Sequence, residues 1–334
     1  MMNLGNMVRG VASDAVAQSL VQFWEYDEGT LELWRASSNF VYAFERNQVQ
    51  YFLRFSFEQD KSIEQIKAEL EFMQYLQLNG FPSVTPIQSI SGELIETLKT
   101  PEGTYIAVVF SAANGINLDA DTITAKQMEE WGRLLASLHF LSKTFEPVSE
   151  RRKSWLDTVQ FMESVFKKHQ GEQIALQELS RVTIWLQSLP TNKDVFGLIH
   201  YDFQLDNIFF EEDKDHSFKI IDFDDAIYHW YALDIVTALD DFIDDDNPHS
   251  KLLIQSFLNG YRSKMVLEND VVAQFPQFRR YANLYKFSKI LKSLDYGEIN
   301  ETPSWFVGLR GKLVRVADEL RQSFQKPWQK DNMK

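Results

Sequence analysis

The stretch Leu198–Ala226, LIHYDFQLDNIFFEEDKDHSFKIIDFDDA, gathers the side chains best able to do chemistry. An H-x-D-x-x-x-x-N segment supplies His200, Asp202 and Asn207, and a second acidic cluster follows at Asp222-Phe223-Asp224-Asp225. Between them, apolar runs at Asn207–Phe210 and Phe218–Ile221 flank a charged EEDKDH turn. That is the pattern of a β-hairpin with a long polar loop. A hairpin folds back on itself, so Asn207, entering the first strand, and Asp222, leaving the second, meet at its open end beside Asp202. Carboxylates and an amide converging there form a set of hard oxygens suited to Mg²⁺.

Phosphoryl transfer from a nucleoside triphosphate needs such a set: a carboxylate that orients and deprotonates the acceptor hydroxyl, and oxygen ligands for the metal on the phosphates. Asp202 is then the base, with Asn207 and Asp222 on the metal. The spacing of Asp202 to Asn207 equals that of the kinase catalytic loop, and Asp222 stands where the DFG aspartate stands. With Ile221-Asp222-Phe223-Asp224 added, the chain resembles the aminoglycoside phosphotransferase and choline kinase-like superfamily. The resemblance implies an α+β, bilobal protein-kinase-like fold, with an N-terminal antiparallel sheet carrying one helix and a mainly helical C-terminal lobe. It implies ATP or GTP as donor and Mg²⁺ as cofactor. It further implies that His200 is structural and that Asp234 holds the catalytic loop through backbone amides. One departure is Tyr201, where the family usually has Gly; it adds bulk beside the base. A buried acidic hairpin without chemistry is the bland alternative, disfavoured because ionised groups are rarely gathered in an interior unpaired.

The elements that must position these residues follow from periodicity. Val8–Trp24 has the helical period of a lead-in helix. Leu31–Trp34, Phe40–Phe44 and Tyr51–Phe55 are rich in β-formers and read as an antiparallel meander. In the first turn, Ser37, Ser38 and Asn39 stand where a kinase places its glycine-rich loop; no Gly is present, but backbone amides and hydroxyls there remain able to meet phosphate. Arg54 lies among apolar neighbours, a position a charge occupies only with a partner. The family's third-strand cation reaches the α- and β-phosphates, and the resemblance makes Glu69, on the helix Ser62–Leu78, its partner. Glu71 is the competing choice, and an edge-strand Arg reaching solvent is the alternative for Arg54.

The apolar strand Tyr105–Phe110 ends at Ser111-Ala112-Ala113-Asn114-Gly115. In the family this is the hinge, with Ser111 and Ala113 pairing with the purine edge and Phe110 behind the base. Two lobes are therefore expected: 1–110 for nucleotide binding and 111–334 for catalysis and acceptor binding, with the hinge at about 111–115. Amphipathic runs then fill the C-terminal part, at Thr124–Lys143, Trp155–Lys168, Gln173–Leu189, Tyr231–Phe242, Lys251–Tyr261, Val271–Leu294 and Trp305–Phe324.

Asp240, Asp241 and Asp244 belong to the densest acidic run, and with Asp225 they are candidates to bind a cationic acceptor; solvated carboxylates are an equal reading. The formal charge of −14 disfavours nucleic acid and suits a cationic small molecule. No Cys is present, which excludes thiolate metal sites and is compatible with a reducing, cytoplasmic location. The start does not read as a signal peptide, no apolar run reaches membrane-spanning length, and no membrane partner is expected. Taken together, the residues point to an ATP- or GTP-dependent O-phosphotransferase acting on a small, amine-containing molecule. A protein Ser/Thr kinase of the same fold and a nucleotide-binding module without activity are the rivals. Oligomeric state is not encoded in these features.

Overall fold

The computed structural model describes residues 1–148, 151–211, 217–243, 247–299 and 302–327. The chain divides into two compact units. One comprises Met1–Leu70, Val84–Ala112 and Lys286–Ser323; the other comprises Glu71–Ser83, Ala113–Tyr285 and the segment from Phe324.

The first unit begins with α1 (Leu4–Val11) and α2 (Ala15–Val21). A single helix over Val8–Trp24 was expected, and the break is a correction. Its cause is local: the Ser13 hydroxyl accepts the Ala15 N–H, and Asp14 is turned to accept from the Tyr42 hydroxyl at 2.7 Å. Short polar side chains that bond nearby groups compete with helix continuation. The sheet follows: β1 (Glu32–Ala36), β2 (Phe40–Arg46), β3 (Val49–Phe57), then α3 (Ile63–Leu78), whose residues from Glu71 on belong to the second unit, β4 (Pro86–Ile87), β5 (Glu96–Thr100) and β6 (Gly103–Ser111). Strand order is β1-β2-β3-β6-β4, with β5 also on β6, and every pairing is antiparallel. β6 lies inside the sheet, and Ile106 to Val109 are buried, as its unbroken apolar run requires. In register, Arg54 on β3 faces Val108 and Phe52 faces Phe110.

The second unit contains β7 (Ile116–Asn117), α4 (Ala125–Ser142), α5 (Trp155–Lys168), α6 (Gln173–Gln187), β8 (Phe196–Ile199), β9 (Ile208–Glu211), β10 (Ser217–Ile220) and β11 (Ile227–Trp230). Then come α7 (Tyr231–Ala238), α8 (Pro248–Arg262), α9 (Asn269–Val272) and α10 (Phe275–Leu294), whose last turns fall in the first unit with α11 (Ser304–Ser323). The expected run Val271–Leu294 is two helices, a second correction. Pro276 lacks an N–H and its ring crowds the preceding turn, so the helix restarts beside it. The hairpin β9–β10 forms with Phe218 opposite Phe210 and Ile220 opposite Ile208, and β7 extends it to three strands. β8 pairs with β11, and the run expected as Tyr231–Phe242 is α7 followed by the 3₁₀ turn Asp240–Phe242.

α4 and α8 cross at glycines. A Cβ added at Gly132 would meet the Phe257 carbonyl, and one at Gly260 the Glu129 carbonyl. The two helices therefore approach backbone to backbone, which brings His139 on α4 to Tyr261 on α8. The fold is α+β, with an antiparallel N-terminal sheet and a mainly helical remainder. No helix among the described residues is long and apolar enough to cross a membrane.

Candidate active site

In the second unit, β8 delivers His200 to its C-terminal end, and the chain then turns sharply. Tyr201 sits there at φ 72°, a left-handed conformation that a bulky residue rarely adopts. Asp234, fully buried on α7, holds this turn. Its Oδ2 accepts the His200 N–H at 2.8 Å and its Oδ1 accepts the Tyr201 N–H at 2.7 Å. His139 reaches the same carboxylate through Nε2 at 3.0 Å, and its Nδ1 lies 2.8 Å from the Tyr261 hydroxyl. Burial pushes the His139 pKa down against the pull of Asp234, and burial pushes the Tyr261 hydroxyl well up. Both are therefore neutral: His139 donates from Nε2, and Tyr261 donates to Nδ1.

His200 is also fully buried, and its pKa is lowered by burial, opposed by Asp234 and Asp222. Its Nε2 donates to the Ile221 carbonyl at 3.0 Å, so the ring joins the Asp202 loop to the residue before Asp222. The ring also packs against Phe223, 4.6 Å between centroids. Asp222 stands at φ 61°, ψ 63°, a second left-handed residue, and opens the 3₁₀ turn Phe223–Asp225.

The structure brings the three oxygen-bearing residues to one hairpin end. The Asn207 carbonyl accepts the Ile221 N–H at 3.1 Å, directly before Asp222. Asn207 Nδ2 donates to the Asp202 backbone carbonyl and to its Oδ2, both at 2.9 Å. Only an amide nitrogen can face two acceptors, so Asn207 Oδ1 is the atom turned away from Asp202. Asp202 and Asp222 are half-buried. No group of three or more His, Cys, Asp or Glu suited to a metal occurs among the described residues. A cation on Asn207 Oδ1 and Asp222 would thus draw further ligands from water or phosphate. That mixed oxygen set fits Mg²⁺, which keeps waters and binds substrate phosphates.

In the first unit, Arg54 and Glu69 form a buried two-pronged pair: Nη1 to Oε1 at 2.7 Å and Nη2 to Oε2 at 2.9 Å. The guanidinium lies 4.9 Å from the Phe110 ring centroid. Glu71, two residues on and itself in the second unit, instead accepts the Val148 N–H of that unit. In the Ser37–Asn39 turn, Ser37 N–H donates to the Asn39 carbonyl, and the Ser37 carbonyl accepts from Met2 N–H. Lys61 Nζ donates to Asn39 Oδ1 at 3.0 Å, a cation at this turn that periodicity did not single out. The Ser111 N–H is taken by the Thr85 carbonyl at 2.9 Å; Ala113 begins the longest segment of the second unit.

The acidic acceptor candidates are dispersed along the chain. Asp225 is half-buried in the turn after Asp222, and Asp240 and Asp241 are exposed in the 3₁₀ turn after α7. Asp244 lies outside the described residues.

Several side chains at the site carried no local sequence signal. Besides His139 and Tyr261, Asn117 on β7 donates from Nδ2 to the carbonyls of Leu205, Asp206 and Ile208 at 3.0–3.1 Å, pinning the loop between Asp202 and β9. Arg152, just before α5, donates from Nε to the Ala226 carbonyl at 2.9 Å and from Nη2 to the carbonyls of Phe223 and Asp224. The run Arg151-Arg152-Lys153 in a chain of charge −14 was the one available hint.

Known proteins resemble this chain in sequence and in fold. The family model described as "Phosphotransferase enzyme family" matches residues 31–265. The amicoumacin kinase of Bacillus subtilis (strain 168) is 24% identical over 276 residues, 79% of this chain and 81% of that protein. A homoserine kinase of Caulobacter vibrioides (strain NA1000 / CB15N) is 25% identical over 328 residues, covering 93% of this chain and 94% of its own. Among solved structures, amicoumacin kinase hAmiN in complex with AMP-PNP, Ca²⁺ and Ami superposes with a TM-score of 0.77 at 19% identity, over 93% of each chain.

Proposed function

The chain belongs to the phosphotransferase enzyme family, and from that premise we propose that it transfers the γ-phosphoryl group of ATP to a hydroxyl of a small, amine-bearing molecule. Asp202 accepts the hydroxyl proton as the oxygen attacks phosphorus in line. Asn207, bonded to both the backbone and side chain of Asp202, holds that carboxylate in one rotamer, so little reorganisation remains when the acceptor arrives. When bound on Asn207 Oδ1 and the Asp222 carboxylate, Mg²⁺ supplies charge neutralisation to the phosphate oxygens. Arg54, oriented by Glu69, meets the α- and β-phosphates, and its planar fork suits both partners at once. The backbone of Ser37–Asn39 contacts phosphate. The Ser111 carbonyl and the Ala113 N–H address the purine edge, with Phe110 behind it. Asp234 and His200 hold the loop, while Asp225, Asp240, Asp241 and Asp244 attract the acceptor's ammonium.

The observation that carries this reading is the Asn207 bridge to Asp202 at the hairpin end that also bears Asp222. Relatives named for acceptors with an amine near a hydroxyl, such as homoserine, favour the same acceptor class here. The test is ADP release with ATP and Mg²⁺ over a panel containing 1-amino-2-propanol, L-homoserine, choline and aminoglycosides, each beside its deaminated or dehydroxylated counterpart. Stimulation by amino alcohols but not by their dehydroxylated analogues is expected. Equal release with and without every acceptor contradicts the proposal.

A further inference from the structure

The left-handed backbone at Asp222 raises the question of what holds it. A non-glycine residue in that region is strained and persists only where the surroundings over-determine it. The 3₁₀ turn that follows is closed by Ala226 N–H on the Phe223 carbonyl at 3.1 Å. Arg152 adds a second hold on the same turn. One guanidinium donates to the carbonyls of Phe223, Asp224 and Ala226, three of the four residues after Asp222.

Arg152 is itself held from both sides. The Lys153 carbonyl accepts the Tyr228 N–H at 2.8 Å, and Ser154 bridges to Tyr228 in parallel. The Arg151 guanidinium lies over the Tyr228 ring, 4.2 Å from its centroid. The segment 151–154 is therefore a short strap laid along the chain that leaves Asp222, with Arg152 reaching into the turn. On the other side of Asp222, His200 fixes Ile221. Asp222 is suspended between two side chain-to-backbone anchors, one on each flank.

We infer that Arg152 is a positioning residue for Asp222: its planar fork locks the Phe223–Ala226 turn so that the Asp222 carboxylate is aimed at the metal. The inference rests on the proposed metal role of Asp222. Outer partners of metal ligands shift affinity by about 10–100-fold when removed. Arg suits the task and Lys does not, because three carbonyls around one turn need donors fixed in a plane, whereas an ammonium is a point charge.

The experiment compares wild type, Arg152→Ala and Arg152→Lys by thermal shift in the presence of ADP, titrating Mg²⁺, with and without millimolar guanidinium. The half-saturating Mg²⁺ is expected to rise about ten-fold or more in Arg152→Ala, to rise similarly in Arg152→Lys, and to return part of the way in the alanine variant when guanidinium is added. A lowered melting temperature with an unchanged Mg²⁺ midpoint overturns the inference and makes Arg152 merely structural. Wild-type behaviour of Arg152→Lys overturns it as well, because charge alone would then suffice. If all three proteins are indifferent to Mg²⁺, the metal assignment of Asp222 fails and this inference falls with it, an outcome distinct from a flat response of the variants alone.

Discussion

Asp234 Oδ1 accepts the Tyr201 N–H at 2.7 Å while Tyr201 holds φ 72°. The buried carboxylate therefore keeps a bulky residue in the left-handed conformation that glycine adopts without strain. Its neighbour His200 gives its own N–H to the other oxygen at 2.8 Å. The turn that leads into Asp202 is thus drawn by one side chain, and the glycine usual at this position is not needed to make it.

Substitution at Tyr201 should expose that strain. The residue is 7% exposed and its ring meets Tyr285 edge-on at 5.2 Å, so both Tyr201→Gly and Tyr201→Ala lose packing. Glycine normally costs about 0.5–1 kcal/mol relative to alanine within regular structure. Here the order reverses: alanine keeps a Cβ in the left-handed region, worth about 1–2 kcal/mol. Urea denaturation should find Tyr201→Gly more stable than Tyr201→Ala by about 1 kcal/mol. An alanine variant equal to or more stable than glycine contradicts the geometry.

Asp234→Asn removes the charge and turns an NH₂ towards donors. The carboxylate accepts from His200 N–H, Tyr201 N–H and His139 Nε2, and no oxygen pair remains to serve all three. A loss of about 3 kcal/mol is expected by urea denaturation, with turnover falling together with stability. A change within about 0.5 kcal/mol, the range of an ordinary surface substitution, contradicts it.

Arg54 and Glu69 are 7% and 1% exposed, so neither charge can be satisfied by water when its partner is removed. Arg54→Met or Glu69→Leu alone should cost about 3–5 kcal/mol, and the double variant less than the sum, because each single change takes the two-pronged partner from a buried charge. The check is a double-mutant cycle by urea denaturation; additive costs would show that the fork is not a coupled pair.

Acid should destabilise the protein from near neutrality. His139, His200 and His229 are fully buried with pKa values lowered by burial, His229 to about 3. A histidine whose folded pKa lies below its unfolded value takes up its proton more readily when unfolded. Stability is therefore full above the unfolded pKa near 6.5, and is lost as pH falls below it until the folded pKa is reached. Each such group steepens the loss by up to about 1.4 kcal/mol per pH unit. Denaturation midpoints from pH 8 to pH 5 should fall in wild type and fall less in His229→Phe, whose ring would rest against Tyr281 and Phe278. An equal slope in that variant rejects His229 as a source.

How much of this was legible in the sequence depends on how local each relationship is. The hairpin β9–β10 was visible because apolar runs flank a polar turn, and its register brings Asn207 to Ile221 through adjacent backbone. The Asp202–Asn207 contact spans five residues and shares one loop. His139 and Tyr261 are 122 residues apart, and their meeting depends on a crossing of α4 and α8 set by two glycines; periodicity along either helix says nothing of it. Arg152 was illegible for another reason: its acceptors are carbonyls, which every residue carries. The breaks before α2 and α10 were missed because apolar spacing continues through Ser13-Asp14 and Pro276, where backbone chemistry ends the helix regardless.

The central claim is that Asp202 is the base for phosphoryl transfer to a hydroxyl. It is tested most directly by single-turnover transfer from ATP to the best amino-alcohol acceptor of the panel, comparing wild type with Asp202→Asn under saturating Mg²⁺. General-base catalysis contributes about 10²–10⁴-fold, so the variant should transfer at least 100-fold more slowly while ADP still shifts its melting temperature as in wild type. Transfer at a rate comparable to wild type would contradict the assignment.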